Sequence, residues 1–148
     1  MLEAGALAPT FVGTTADGAS LDFATYRGRP VVLYFYPKAN TAGCTAEARG
    51  FAESYPELQK AGIAVVGVSV DTVADQKSFA EKCGVPFPLV ADRDRSVANL
   101  YGVLGFLGIA KRVTFFIEPD GRIAEVVQGL LPGPHVRRAM ERARTVTK

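Results

Sequence analysis

The 148-residue sequence has two cysteines, one histidine and no tryptophan, and its 17 basic and 15 acidic residues leave a net charge of only +2. Each scarcity excludes something. So small a charge, with no interleaving of basic and aromatic residues, offers no footprint for nucleic acid, and neither DNA nor RNA is an expected partner. Cys44 and Cys83 lie far apart and neither belongs to a Cys-x-x-Cys pair. In a reducing compartment such thiols are catalytic or incidental rather than a permanent staple. The N-terminus carries no positive charge before Arg27 and no long apolar core, which is not the pattern of a secretory signal, so the cytoplasm is the expected location. The most membrane-like stretch, Val97 to Ala110, is shorter than the roughly 20 residues of a span and contains Asn99, so no membrane partner is expected. What is plentiful is apolar residue, 48% of the chain, enough for a core that needs neither metal nor disulfide and for one domain over residues 1–148.

The pattern along the chain alternates strand and helix signals. Phe11–Thr14 and Ser20–Phe23 flank Asp17-Gly18, a hairpin turn pair, and predict a small antiparallel ribbon. Val31–Tyr36 is a continuous β-branched and aromatic run, as expected of a strand buried on both faces. A helix follows to about Lys60, with Pro56 expected to kink or interrupt it. Ile63–Val70 reads as a second buried strand, and Asp71 or Thr72 can cap a helix that runs to Cys83 and stops at Gly84. Phe87–Val90 predicts a short strand, and the stretch from Asp94 or Arg95 to Tyr101 a short helix. Val113–Ile117 and Ile123–Val127, joined through Pro119-Asp-Gly121, predict a hairpin at the far edge of the sheet. A basic helix from His135 to Arg144 closes the chain. Ribbon, βαβα, hairpin and helix describe a thioredoxin-like α/β fold with an N-terminal extension.

The stretch VVLYFYPKANTAGCTAEARGF, Val31 to Phe51, concentrates the chemistry. Pro37 ends the strand, and Cys44 falls where the following helix begins. Free backbone N–H groups and the positive end of a helix dipole stabilise an anion there, which favours the thiolate.

Pro37, Thr41 and Cys44, spaced P-x-x-x-T-x-x-C after a strand ending FYP, resemble the active-site signature of the peroxiredoxins. Arg112, in the run KRVTFFI ahead of Pro119-Asp-Gly, resembles that family's second signature. The wording FYPKANTAGCTAEARGF and FPLVADRDRSVANLYGV is similar to the branch called bacterioferritin comigratory protein or peroxiredoxin Q, over about Ala8 to Val127. The resemblance implies a thiol peroxidase that uses no metal, haem or flavin cofactor and acts on hydrogen peroxide or small alkyl hydroperoxides. It implies Cys44 as peroxidatic nucleophile, Thr41 hydrogen-bonding thiolate and peroxide, Pro37 shielding the site, and Arg112 with the N–H groups of Gly43 and Cys44 supporting the developing charge. A thioredoxin or similar dithiol would be the reductant, with the protein a monomer or weak homodimer.

The position five residues after Cys44, where many members of the branch carry a resolving cysteine, is Arg49. Cys83 is the remaining candidate to condense with the Cys44 sulfenic acid. Its helical spacing with Phe79 and Ala80 equally allows a core-facing side chain. Glu47 is expected to cap its own helix or else to hold Arg112 or Arg49 in place. His135 is expected at the surface or in packing. The apolar segment 102–109 is expected to gate the pocket or to meet a second subunit. Two other functions fit a lone reactive cysteine, a redox sensor or holdase and a thioredoxin-like disulfide oxidoreductase. The latter is disfavoured because Thr41 stands where it needs a second thiol.

Overall fold

The computed structural model describes residues 1–146, with the side chain of Val146 left aside. Its centre is a five-stranded sheet in the order β5-β4-β3-β6-β7, made by β3 (Val31–Phe35), β4 (Ala64–Ser69), β5 (Leu89–Ala91), β6 (Val113–Ile117) and β7 (Ile123–Gln128). β3, β4 and β5 run parallel, joined through α1 (Ala42–Lys60) and α2 (Val73–Cys83), whereas β6 and β7 are antiparallel and form one edge. The sheet is therefore mixed, its parallel half built by helical crossovers and its antiparallel half by the hairpin. The ribbon β1 (Val12–Thr14) with β2 (Ser20–Asp22) stands apart as a separate two-stranded sheet. Helices α3 (Ser96–Tyr101) and α4 (Pro132–Val146) complete the chain.

Every residue of β3 and β6 is buried, and alternation sorts their side chains between two apolar layers. Val31, Leu33 and Phe35 join Phe115, Val66, Val68 and α3 residues Val97 and Tyr101 on one face. Val32, Tyr34 and Tyr36 join Phe51 and Leu58 of α1, Phe79 of α2 and Ala139 of α4 on the other. Full burial of Phe51 and Leu58 is worth roughly 1.5–3 kcal/mol each, which is what pins α1 to the second face. Helix α4 crosses close to α1 because Gly50 has no side chain: a Cβ there would lie 3.0 Å from Val136 Cγ2.

Two open expectations resolve and a third needs correction. Helix α1 runs to Lys60 as expected, and Pro56 lies inside it without interrupting it. Thr72 alone caps α2, its hydroxyl accepting from Asp75 N at 3.1 Å. Asp71 instead accepts from Ala39 N at 2.7 Å and from Ser69 Oγ at 2.6 Å, which ties down the loop after β3. Helix α4 starts at Pro132, three residues before the expected His135. Prolines are tolerated in a first turn, where the missing N–H has no helical partner anyway. No helix of the described residues is long and apolar enough to cross a membrane.

Candidate active site

Strand β3 delivers the chain to the carboxyl end of the sheet, the loop 36–41 turns there, and α1 begins at Ala42. Thr41 is the residue before the helix and Cys44 its third residue, so the Cys44 thiol lies in the first turn, where amides lack helical acceptors. The sulfur is enclosed, 1% exposed, against the tyrosine face of β3. Across the sheet, the last pair of the β3–β6 ladder is Phe35 with Val113. Arg112 stands one step beyond it, on the same face as Thr114 and therefore beside the turn that carries Cys44.

The Arg112 guanidinium reaches the sulfur directly: Nη2 lies 3.4 Å from Cys44 Sγ. Its Nη1 donates to Glu47 Oε1 at 2.5 Å and its Nε to the Leu130 carbonyl at 2.8 Å, so three nitrogens have three different partners. Burial lowers the Arg112 pKa, but the charges of Glu47 and Cys44 more than offset it, and the guanidinium stays firmly cationic. Gly43 makes this approach possible, because a Cβ at that position would lie 2.9 Å from Arg112 Nη2.

Glu47 follows Cys44 by three residues, hence one turn along the same helix face. Its carboxylate does not cap α1; it is completely buried and pairs with Arg112, the alternative that sequence reasoning ranked second. Burial pushes its pKa up to about 7, with the Arg112 charge opposing. The unbonded oxygen, Oε2, faces His135 Nδ1 at 3.9 Å. His135 is also completely buried and packs behind the Arg112–Glu47 pair, so the expectation of packing holds and that of a surface position does not. Nothing in its sequence neighbourhood advertises this, since it comes 88 residues after Glu47 only by way of the β6–β7 hairpin. Its position in the first turn of α4, which Gly50 lets close on α1, is what brings it here.

The remaining expected residues are less tightly gathered. Thr41 is exposed and its hydroxyl donates to the Lys38 carbonyl at 2.8 Å, turned away from any bond to Cys44. Pro37 is half-buried at the start of the loop. Cys83 is the last residue of α2, just before the left-handed Gly84. Both thiols are free, both are buried, and they share one apolar cluster with Tyr34, whose hydroxyl is enclosed without a hydrogen-bond partner. Segment 102–109 carries Phe106 and Leu107 fully outward, 87% and 80% exposed, on a short 3-10 turn with Leu107 in the left-handed region. Among the described residues no group of three His, Cys, Asp or Glu side chains could hold a metal ion.

A buried sulfur against an ion-paired guanidinium, at the start of a helix, is equipped to attack an electrophile and stabilise the charge this displaces. Comparison with known proteins places that arrangement. Residues 4–126 match the model of the AhpC/TSA family. The chain is 38% identical to peroxiredoxin Bcp of Escherichia coli K12 over 141 residues, 90% of each protein. Among solved structures it superposes on peroxidoxin BcpB of Mycobacterium tuberculosis with a TM-score of 0.90, 32% identity and 98% of both chains covered. It also superposes, with a TM-score of 0.85 and 28% identity over 93% of this chain and 92% of the other, on the Xanthomonas campestris bacterioferritin comigratory protein. That protein was solved in trapped intermediate and ligand complexes bearing on its alkyl peroxide reduction activity. The thioredoxin-like architecture, the matched residues and the level of identity agree, and the chain belongs to the AhpC/TSA family, among its Bcp-type peroxiredoxins.

Proposed function

We propose that this thiol peroxidase reduces hydrogen peroxide and small alkyl hydroperoxides at Cys44, with Cys83 resolving the product and thioredoxin or a similar dithiol as reductant. The observation that carries the reading is the 3.4 Å contact between Arg112 Nη2 and Cys44 Sγ, held by the buried Glu47. A guanidinium there favours the sulfur anion and then follows the charge as it moves. The Cys44 thiolate attacks one peroxide oxygen, an S–O bond forms and the O–O bond breaks. The proton on the attacked oxygen ends on the departing alkoxide or hydroxide as an alcohol or water, and the sulfenate left on Cys44 takes up a proton from solvent to become the sulfenic acid. First-turn amides at Gly43 and Cys44 aim at the same charge. Thr41, once its hydroxyl leaves the Lys38 carbonyl, reaches the peroxide, and Pro37 keeps water from the loop side.

The sulfenic acid on Cys44 next meets the Cys83 thiol: a disulfide forms, the S–O bond breaks and water leaves. Burial of both sulfurs in one apolar cluster supports this pairing, and their places at a helix start and a helix end mean that local fraying brings them together and opens the disulfide to reductant. The reading implies one domain in a reducing cytoplasm, working as a monomer or weak homodimer.

Peroxide-dependent oxidation of thioredoxin tests it. Wild-type protein should sustain turnover and Cys44→Ser should not; equal rates would defeat the peroxidase reading at Cys44. Peptide mapping after one equivalent of peroxide should yield a Cys44–Cys83 disulfide within one chain. Finding only sulfinic acid or mixed disulfides would make this a one-cysteine enzyme.

A further inference from the structure

Both supports of Arg112 lead towards His135. From the guanidinium one path runs through Nη1 to Glu47, whose free oxygen faces His135 Nδ1 at 3.9 Å. The other runs from Nε to the carbonyl of Leu130, the residue next to Gly129, whose own carbonyl lies 2.9 Å from His135 Nε2. One imidazole therefore stands beside both supports of the guanidinium, hydrogen-bonded to the Gly129–Leu130 segment and only facing the Glu47 oxygen. We propose that His135 is a positioning residue for the peroxidase reaction: by holding the Gly129 carbonyl it fixes Leu130, and through the Leu130 carbonyl it aims Arg112 at Cys44.

The geometry settles which nitrogen carries the proton. A carbonyl only accepts, so Nε2 is the N–H, and Nδ1 accepts from the Thr114 hydroxyl at 2.7 Å. Burial, against the opposing Gly129 bond, lowers the His135 pKa and keeps the ring in this neutral form. Thr114 lies in β6, two residues beyond Arg112, so the ring is anchored to the strand that carries the guanidinium. The segment it restrains needs restraint: Gly129 has a φ of +138°, and the Leu130 and Leu131 side chains are solvent-exposed and make no anchor of their own. An error of an ångström in the placement of a charge-stabilising group costs up to a hundredfold in rate, so a single strap here has kinetic consequences.

The inference rests on Cys44 being the nucleophile, and its test separates the two. The rate constant for the first oxidation of the fully reduced protein is measured by competition with a haem peroxidase for limiting hydrogen peroxide, with urea unfolding run in parallel. A glutamine places its amide N–H where imidazole Nε2 lies and can still donate to Gly129; an asparagine reaches only the Nδ1 position. His135→Ala and His135→Asn should lose roughly ten- to a hundredfold in rate. His135→Gln should recover most of it, a pattern that loss of packing alone does not produce. Wild-type rate in His135→Ala overturns the inference, as does a His135→Gln no faster than His135→Asn. If His135→Ala does not fold, the Gln and Asn pair decides. Wild-type protein that leaves peroxide unconsumed takes down the Cys44 reading and this one with it; a fast wild type with unaffected variants takes down this one alone.

Discussion

At the scale of single residues the site depends on a missing side chain and on one carboxyl. Gly43 occupies an ordinary helical position without positive φ, so alanine is compatible with its backbone and improves helix propensity by up to about 1 kcal/mol. Yet the added Cβ would press on Arg112 Nη2 at 2.9 Å. Gly43→Ala should therefore keep or raise the unfolding midpoint while slowing peroxide reduction about tenfold or more. A variant as fast as wild type would show that Arg112 has slack. Glu47 offers a pH experiment. Its carboxyl is displaced by burial from 4.5 to about 7, so the folded state holds this proton after the unfolded chain has released it. Stability from this group is present in full below about pH 4.5 and is lost as pH rises through about 7, on the order of 3 kcal/mol. Glu47→Gln mimics the protonated form. Urea unfolding should find wild type and variant similar near pH 5 and the wild type progressively the weaker of the two towards pH 8. A constant difference across that range would mean Glu47 is ionised throughout. Of these residues, Cys44 and Arg112 were legible because a local motif and a strand-end arginine carry them. The partner of Glu47 was not: a carboxylate one turn into a helix looks the same whether it faces the dipole or an arginine 65 residues away.

At the scale of elements, the strands were legible because β3 and β4 are buried on both faces and so read as unbroken apolar runs. The hairpin at the sheet edge was announced by Pro119-Asp-Gly121. The start of α4 was missed because two prolines and a glycine within Pro132–Pro134 mimic a loop, although a first helical turn has no N–H bonds for them to break. The extent of α1 to Lys60 was legible, and the interruption allowed for at Pro56 does not occur because tertiary packing by Phe51 and Leu58 holds the helix on either side and outweighs the proline's local cost. In the proposed cycle helix ends also carry the chemistry. Cys44 sits in the first turn of α1 and Cys83 closes α2 ahead of Gly84, whose left-handed conformation ends the helix there. If Cys83 resolves as proposed, disulfide formation between two such enclosed sulfurs draws on the fraying of both ends. Hydrogen exchange should thus show protection falling on oxidation in residues 42–46 and 80–84 while the amides of β3 and β4 stay protected. Unchanged exchange in both helix ends, with the disulfide formed, would mean that the sulfurs meet without unwinding.

Over the whole molecule the sheet separates two tasks. Its second face carries Cys44, Glu47, Arg112, His135 and Cys83, packed with α1, α2 and α4, and every polar contact described for the site lies on that side or at its rim. The opposite face, with α3 and the N-terminal segment, packs an apolar cluster that includes none of these groups. Alternation along β3 makes the division sharp, because Leu33 and Tyr34 are neighbours in sequence whose side chains belong to different layers. Leu33 is fully buried on the structural side. Leu33→Ala should cost about 2–5 kcal/mol by transfer and cavity terms. Its rate constant for peroxide, measured at a temperature where the variant is still fully folded, should match wild type, since the sheet backbone lies between the cavity and the guanidinium. A rate that falls along with stability would show that packing on one face sets the geometry on the other, and that the sheet transmits strain rather than isolating the two layers.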